Sequence, residues 1–169
     1  GRRGVAGDAP VTPASAAERW GARLLERSAA ALSTAGNPFV AFVVMDGELV
    51  AEAHNQVRQL DDCTAHAELL AVRAACSVMG RRGLAGATLY TSCEPCLMCL
   101  GAANAAALGE VHYGLSVQGL AALLPNYRHM GAADVTAPLL PLRPLPTQGF
   151  APLFADWARA IAQEKATHG

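Results

Sequence analysis

Cysteines in the middle of the chain are the residues with the clearest chemical potential. Three of the five lie in the stretch TSCEPCLMCLGAA, at Cys93, Cys96 and Cys99. Thiolates at this spacing can hold a closed structural metal site, form a redox pair or contribute to an open catalytic metal site. The stretch by itself is compatible with all three.

A second motif supplies an imidazole and a carboxylate. The stretch CTAHAELLAVRAA places His66 and Glu68 at the start of a predicted helix, and Cys96 and Cys99 fall at the start of the next one. Residues i and i+3 project from one helix face, and a helix N-terminus favours thiolates. Two thiolates and one imidazole suit Zn²⁺ and leave a fourth position for water, as in a catalytic zinc site.

Glu68 follows His66 too closely to share its direction on the helix. We therefore predict that Glu68 is not a ligand and that it leans over the open position of the metal. There a carboxylate can take a proton from water and pass it to a leaving group, which is general acid–base catalysis.

Two other interpretations of the cysteines stay open. Cys93 could complete a closed structural site with His66, Cys96 and Cys99, although it precedes Pro95 and lies outside the predicted helix. A closed site would also leave Glu68 without a role. A redox pair of Cys96 and Cys99 would ignore His66.

These residues must be positioned by a mixed α/β domain, as hydrophobic periodicity indicates. Helices are predicted over Ala14–Ser33, Ala65–Met79 with Thr64 as its cap, Pro95–Ala107 with Pro95 in its first turn, and FAPLFADWARAIAQEKA. Strands are predicted at Phe39–Met45, Leu49–Ala53, ATLYT and EVHYGLS, with a weaker strand in DVTAPLLPL and a proline-rich connection over 138–149. One strand lies between the two motif helices, so their N-termini can meet at one end of the sheet.

Composition narrows the functional classes. The 169 residues are 52% apolar and 16% charged, which predicts one domain with a packed core after a flexible leader at 1–13. A net charge of −1 argues against a partner bound mainly through phosphates. No stretch predicts a membrane span or a secretory signal. The odd number of cysteines favours a reducing, cytoplasmic compartment.

With both motifs in place, the chain resembles the cytidine deaminase-like zinc deaminases, whose signature is H-x-E followed by P-C-x-x-C. Here it reads His66-Ala67-Glu68 and PCLMC at 95–99. NPF, DGELVAEAHN, TAHAELLAVRAA and LYTSCEPCLMCLGA resemble the bacterial guanine deaminase branch in particular. The resemblance covers 14–165, nearly the whole chain.

The resemblance implies a fold and a reaction. The fold is a three-layer α/β/α domain with a five-stranded mixed sheet, spanning 14–169. The reaction is hydrolytic deamination with one zinc per subunit, held by His66, Cys96 and Cys99. Water attacks a ring carbon that carries an exocyclic amine, Glu68 shuttles the proton, and ammonia leaves as a carbonyl forms.

The resemblance also implies substrate contacts. Asn55 matches an asparagine that hydrogen-bonds the ring, and Phe39 matches an aromatic residue that packs on it. Backbone amides near Ala67 and Cys96 match those that hold the substrate and the water. Without the resemblance, Asn55 is typical of a strand-end turn and Phe39 of a core. Relatives are homodimers, so 150–169 either crosses to a partner or packs on its own core.

Two departures from the family pattern affect the substrate. Val40 stands where the family has glycine, and with Phe42 nearby it is expected to reshape the pocket, so we include Val40 among the substrate contacts. The guanine branch also places an acid after the fourth strand, and this chain has none between Tyr113 and Asn126. Its absence puts guanine itself in doubt.

We therefore predict a zinc aminohydrolase that acts on a free heterocyclic base or base analogue. Guanine is the parent substrate, and altered purines, aminopyrimidines and s-triazines are alternatives. A tRNA adenosine deaminase shares the signature but must grip phosphates, and nucleic acid is not the partner we expect. The non-enzymatic alternative is a zinc-stabilised interaction module with Cys93 closing the site.

Overall fold

A computed structural model of the protein describes residues 14–127 and 140–168 as alternating helices and strands. The strands are β1 Val40–Met45, β2 Glu48–His54, β3 Thr88–Cys93, β4 Glu110–Leu115 and β5 Leu142–Pro144. The helices are α1 Ala16–Ala35, α2 Val57–Leu60, α3 Ala67–Met79, α4 Leu97–Ala105, α5 Val117–Leu123 and α6 Phe150–His168. The predicted leader at 1–13 and most of the predicted weak strand at 134–142 lie outside the described residues.

The five strands form one sheet in the order β2-β1-β3-β4-β5. β1 pairs antiparallel with β2 and with β3, whereas β3 and β4 pair in parallel, as do β4 and β5. The predicted five-stranded mixed sheet is confirmed, and β3 lies at its centre.

Alternation along β1 sends side chains into two separate cores. Ala41 and Val43 pack into the core that includes buried residues of α3 and α4, whereas Val40, Phe42 and Val44 pack into the core that includes buried residues of α1 and α6. Successive side chains of a strand point to opposite faces, so each face of the sheet is covered by its own helices. The three-layer prediction is therefore confirmed.

The helix that carries the H-x-E motif is buried through small residues. Ala67, Ala71 and Ala75 of α3 are at most 1% exposed and belong to the same core as Ala41 and Val43 of β1. Alanine brings a helix backbone close to the sheet, so the sequence of α3 sets a short distance between the two.

The long helices on the other face are amphipathic. α1 begins with a capping box, in which Ser15 Oγ accepts from the backbone N–H of Glu18 and the Glu18 carboxylate accepts from the N–H of Ser15. Its Leu24 and the α6 residues Phe154 and Trp157 are buried in one core. Among the described residues, no helix has both the length and the apolarity needed to cross a bilayer.

The motif helices begin two residues later than predicted. Thr64 does not cap α3, since its N–H and hydroxyl both donate to Asp62 Oδ1, at 2.8 and 2.7 Å, in a turn that precedes the helix. His66 occupies the N-cap of α3, and Cys96 that of α4. Pro95 therefore precedes the helix, where its fixed φ directs the chain into the cap.

The second correction concerns the C-terminal third of the chain. The predicted proline-rich connection contains β5, which pairs with β4 alone among the described strands and so tolerates Pro144 at a sheet edge. The helices α2 and α5 were not predicted. α5 carries a local signal, because Ser116 Oγ accepts from the N–H of Gly119 as an N-cap.

Substitution of Gly114 on β4 tests how α6 packs against the sheet. A Cβ there would lie 2.6 Å from the carbonyl oxygen of Ser92, a backbone atom, and against the ring of Phe150 at the start of α6. We expect Gly114→Ala to cost about 1–3 kcal/mol through overpacking, measured by urea unfolding. Gly83→Ala is the control, since its Cβ would meet nothing within 4 Å. Equal stability of the two variants would contradict this packing.

Candidate active site

The two motif helices bring three metal-binding side chains together at the end of β3. His66, Cys96 and Cys99 offer ligand atoms that lie within 4.8 Å of one another. Cys96 Sγ lies 3.6 Å from His66 Nδ1, and Cys99 Sγ lies 3.7 Å from the same nitrogen. The strand between the helices, predicted from the sequence, is what places both N-termini at one end of the sheet.

These separations fit a tetrahedral zinc site. With Zn–S bonds of about 2.3 Å and Zn–N bonds of about 2.0–2.1 Å, a ligand nitrogen and sulfur lie about 3.5–3.6 Å apart. The observed values agree within about 0.2 Å, the tolerance used to judge such sites. The donor set, two sulfurs and one imidazole nitrogen, is also one that zinc prefers.

Electrostatics at this cluster favour a thiolate at Cys96. The hydrogen bond from Cys99 and the one from His66 lower the pKa of Cys96 to about 4, against the opposing effect of burial. The same contact raises the pKa of Cys99, which is the donor to Cys96. Cys96 in turn raises the pKa of His66. The cluster therefore concentrates negative charge on sulfur, which the helix N-terminus stabilises. This negative charge attracts a cation.

Glu68 lies beside this cluster in a buried position. It is 6% exposed, and burial is the main reason why its pKa is raised. Thr91 Oγ1 lies 3.1 Å from Glu68 Oε1, and Cys99 Sγ lies 3.6 Å from Glu68 Oε2. A buried carboxyl with a raised pKa, adjacent to a metal cluster, is suited to accept and return a proton.

Cys93 stays apart from the cluster. Among the described residues, the metal-binding group consists of His66, Cys96 and Cys99 without it. Cys93 is buried with apolar residues of the α1 and α6 core, and burial raises the pKa of its thiol well above the usual value. The geometry thus favours an open site over a closed one.

A cavity of about 310 Å³ opens beside His66. Its walls come from the α1–β1 turn, from residues 55–63, from Tyr127 and from one face of α6. The lining residues are Ala35, Gly36, Asn37, Phe39, Asn55, Val57, Arg58, Gln59, Cys63, His66, Tyr127, Trp157, Ala160, Ile161 and Glu164.

Phe39 and Asn55, two of the predicted substrate contacts, line this cavity. The ring of Phe39 meets those of Phe154 and Trp157 edge-on, with centroids 5.1 and 5.0 Å apart. Asn37 Nδ2 donates to the carbonyl oxygen of Asn55 at 3.3 Å, and Asn37 Oδ1 accepts from the N–H of Phe39 at 3.2 Å. The NPF stretch thus ties the two predicted contacts to each other.

The other two predicted contacts lie elsewhere. Val40 is 2% exposed, packs into the α1 and α6 core and is not among the described lining residues of the cavity. Its N–H donates to Ser92 Oγ at 3.0 Å, which fixes the start of β1. Ala67 is buried as the first residue of α3 and is not among the described lining residues of the cavity either. Its substrate role stays a prediction.

Several residues at the site escaped the sequence analysis. Tyr127 lines the cavity, and burial raises its pKa to about 12, so it is a neutral hydroxyl at the wall. Glu94, next to the cysteine motif, is buried, and its Oε2 accepts from the N–H of Val117 at 2.8 Å. Glu94 thereby ties the cysteine loop to the first residue of α5. Only its position beside the motif could have signalled this.

Known proteins resemble the chain over the segment that carries the two motifs. Residues 15–115 match the model of the cytidine and deoxycytidylate deaminase zinc-binding region. Guanine deaminase of Bacillus subtilis is 55% identical over 67 residues, 40% of this chain and 43% of that protein. The tRNA-specific adenosine deaminase of Agrobacterium fabrum is 43% identical over 77 residues, 46% of this chain and 51% of that protein. The matched segments thus span about half the length of these relatives.

A solved structure extends the similarity. The structure of guanine deaminase from Bacillus subtilis superposes with a TM-score of 0.55 at 34% identity, covering 82% of this chain and 93% of that one. The similarity therefore reaches well beyond the two short motifs.

Paired cysteine variants test the open site. We expect Cys99→Ala to lose most of its zinc after gel filtration, as measured by mass spectrometry of the metal, because a ligand is removed. Cys93→Ala should retain about one zinc per chain, since Cys93 lies outside the cluster. Equal loss of zinc from both variants would support the closed structural site instead.

Proposed function

Because the chain belongs to the family of the cytidine and deoxycytidylate deaminase zinc-binding region, we propose that it is a hydrolytic deaminase of a free nucleobase or base analogue. The family match and the ligand cluster confirm two predictions from the motifs, namely membership in the zinc deaminases and zinc as the metal. In the proposed reaction, water replaces an exocyclic amine on the ring, a carbonyl forms and ammonia is released.

The observation that carries the proposal is the volume and lining of the cavity beside His66. Its volume of about 310 Å³ is at the small end of the range for ligand pockets, about 300–1,000 Å³. Phe39 and Trp157 supply aromatic wall, and Asn55 supplies an amide. A small planar heterocycle with polar edges matches these walls, because rings stack on or abut aromatic side chains while amides read the edges.

The residues of this chain then divide the chemical work. Zinc held by His66, Cys96 and Cys99 would activate a water molecule for attack. Glu68, a buried carboxyl whose pKa is raised, would accept a proton from that water and deliver it to the departing amine. Asn55 orients the ring by hydrogen bonding, and Phe39 holds its face.

The charges around the cavity do not single out one base. The acid expected after β4 in a guanine enzyme is missing, but α6 brings the carboxylate of Glu164 to the cavity wall. The side chain of Glu164 is 64% exposed and lies 4.0 Å from that of Arg58. A carboxylate so open to water discriminates weakly, so we keep altered purines, aminopyrimidines and s-triazines beside guanine as substrates.

A tRNA adenosine deaminase is the second candidate, and the similarity to the Agrobacterium enzyme favours it. Among the described residues that line the cavity, Arg58 is the one arginine or lysine, and it lies close to Glu164. Phosphate recognition needs several cations and falls steeply with salt. Salt-sensitive binding of an anticodon stem-loop, together with inosine formation, would decide for this candidate.

Homodimer formation and exchange of 150–169 between subunits are further proposals. Within one chain, α6 already packs on the sheet through Phe150 and Phe154 and lines the cavity through Trp157. The cavity wall from α6 therefore does not require exchange. Light scattering coupled to gel filtration measures the assembly, and a monomer that deaminates at full rate would reject both proposals.

Glu68 variants test the reaction. We expect purified zinc protein to release ammonia from at least one base in a panel of guanine, altered purines, aminopyrimidines and s-triazines. Glu68→Gln and Glu68→Ala should lower kcat at least about 10²-fold, because proton transfer is lost while zinc is retained. Unchanged ammonia release would reject the mechanism. A zinc-loaded wild type that is inactive on every base and on tRNA would favour the interaction module.

A further inference from the structure

A buried hydroxyl group on β3 contacts both the proposed proton carrier and the end of that strand, where the cysteine loop begins. Thr91 on β3 is 1% exposed. Its Oγ1 lies 3.1 Å from Glu68 Oε1 and 3.2 Å from the carbonyl oxygen of Cys93. Both contacts are short enough for hydrogen bonds, and both acceptors are buried.

The carboxylate of Glu68 needs a donor to hold its orientation. The last torsion of a glutamate is broad, so burial alone does not fix where its oxygens point. Oε2 faces the thiol of Cys99 at 3.6 Å and Oε1 faces Thr91. A cysteine that ligates zinc is a thiolate and has no proton to donate. Of these two neighbours, Thr91 is then the one that donates.

The same hydroxyl stays satisfied while Glu68 works. A threonine hydroxyl has one proton and can also accept. It donates to Oε1, which can accept whether the carboxyl is charged or carries its proton on the other oxygen, Oε2. In either arrangement the buried hydroxyl and carboxyl remain paired, which avoids the penalty of an unpaired polar group.

We propose that Thr91 is a positioning residue that holds the Glu68 carboxyl in line with the reacting centre. The inference rests on the proposed function, since Glu68 has a proton to move only if the protein deaminates. Thr91 is not among the described residues that line the cavity, so its effect is exerted on the catalytic step and not on binding.

Substitution by valine separates this role from a packing role, because valine keeps the shape and removes the hydroxyl. We expect Thr91→Val to lower kcat roughly ten- to hundredfold with KM nearly unchanged, since a misdirected catalytic group costs up to about that factor. Thr91→Ser keeps the hydroxyl and should recover most of kcat. Zinc content and unfolding temperature are measured on each variant.

Thr88→Val is the matched control, a loss of the same hydroxyl from the first residue of the same strand. We expect it to leave kcat and KM at wild-type values. Should Thr91→Val fail to fold, Thr91→Ala compared with Thr91→Ser makes the same test. Wild-type kcat in Thr91→Val, or no recovery by serine, overturns the inference and leaves the proposed function standing. An inactive wild type overturns both.

Discussion

The convergence of two helix N-termini at one end of β3 is the constraint on which the rest of the site depends. The chain runs down α3, returns along β3 and enters α4, so His66 and Cys96 both occupy N-cap positions at the same end of the sheet. Each N-terminus carries unpaired amides and a positive dipole end, which stabilise thiolate sulfur. The sulfur–nitrogen separations of 3.6 and 3.7 Å follow from this crossing.

Consecutive polar residues at the end of β3 connect that crossing to its surroundings. Thr91 reaches Glu68 on α3, Ser92 accepts from the start of β1, and Glu94 accepts from the start of α5. Each of these residues is buried, and each contacts a different element. Four residues of sequence, TSCE, therefore carry polar contacts to three other elements. Burying so many polar groups is favourable only because each one is paired.

The sequence allowed the sheet, four of the six described helices and the ligand cluster to be predicted, because each has a local signal. Periodicity revealed the elements, and the motif spacing revealed His66, Cys96 and Cys99. The cavity wall had no such signal, since Trp157 on an amphipathic helix is typical of a core and Tyr127 is isolated in the sequence. Thr64 was assigned as a cap from its residue type, whereas the competing turn at Asp62 took its hydrogen bonds.

The structure places Val40 away from the cavity, and its predicted substrate contact stays a prediction. Phe39 lines the cavity just before β1 begins, whereas Val40, the first residue of β1, is buried in the α1 and α6 core. Position in a motif indicates proximity along the chain, but strand geometry decides which side chains share a site.

The alanine face of α3 has a consequence for how such a protein can change. Alanine has no side-chain torsion, so the contacts of Ala67, Ala71 and Ala75 with the sheet offer no rotamer change that could shift the ligand cluster. The cavity wall, in contrast, draws on Phe39 and on α6, where large side chains from the other layer meet. The metal ligands thus follow helices on the α3 and α4 face of the sheet, whereas α6 on the other face supplies part of the cavity wall. In the proposed deaminase, mutations on α6 can change which ring is admitted while the geometry of the metal ligands stays the same.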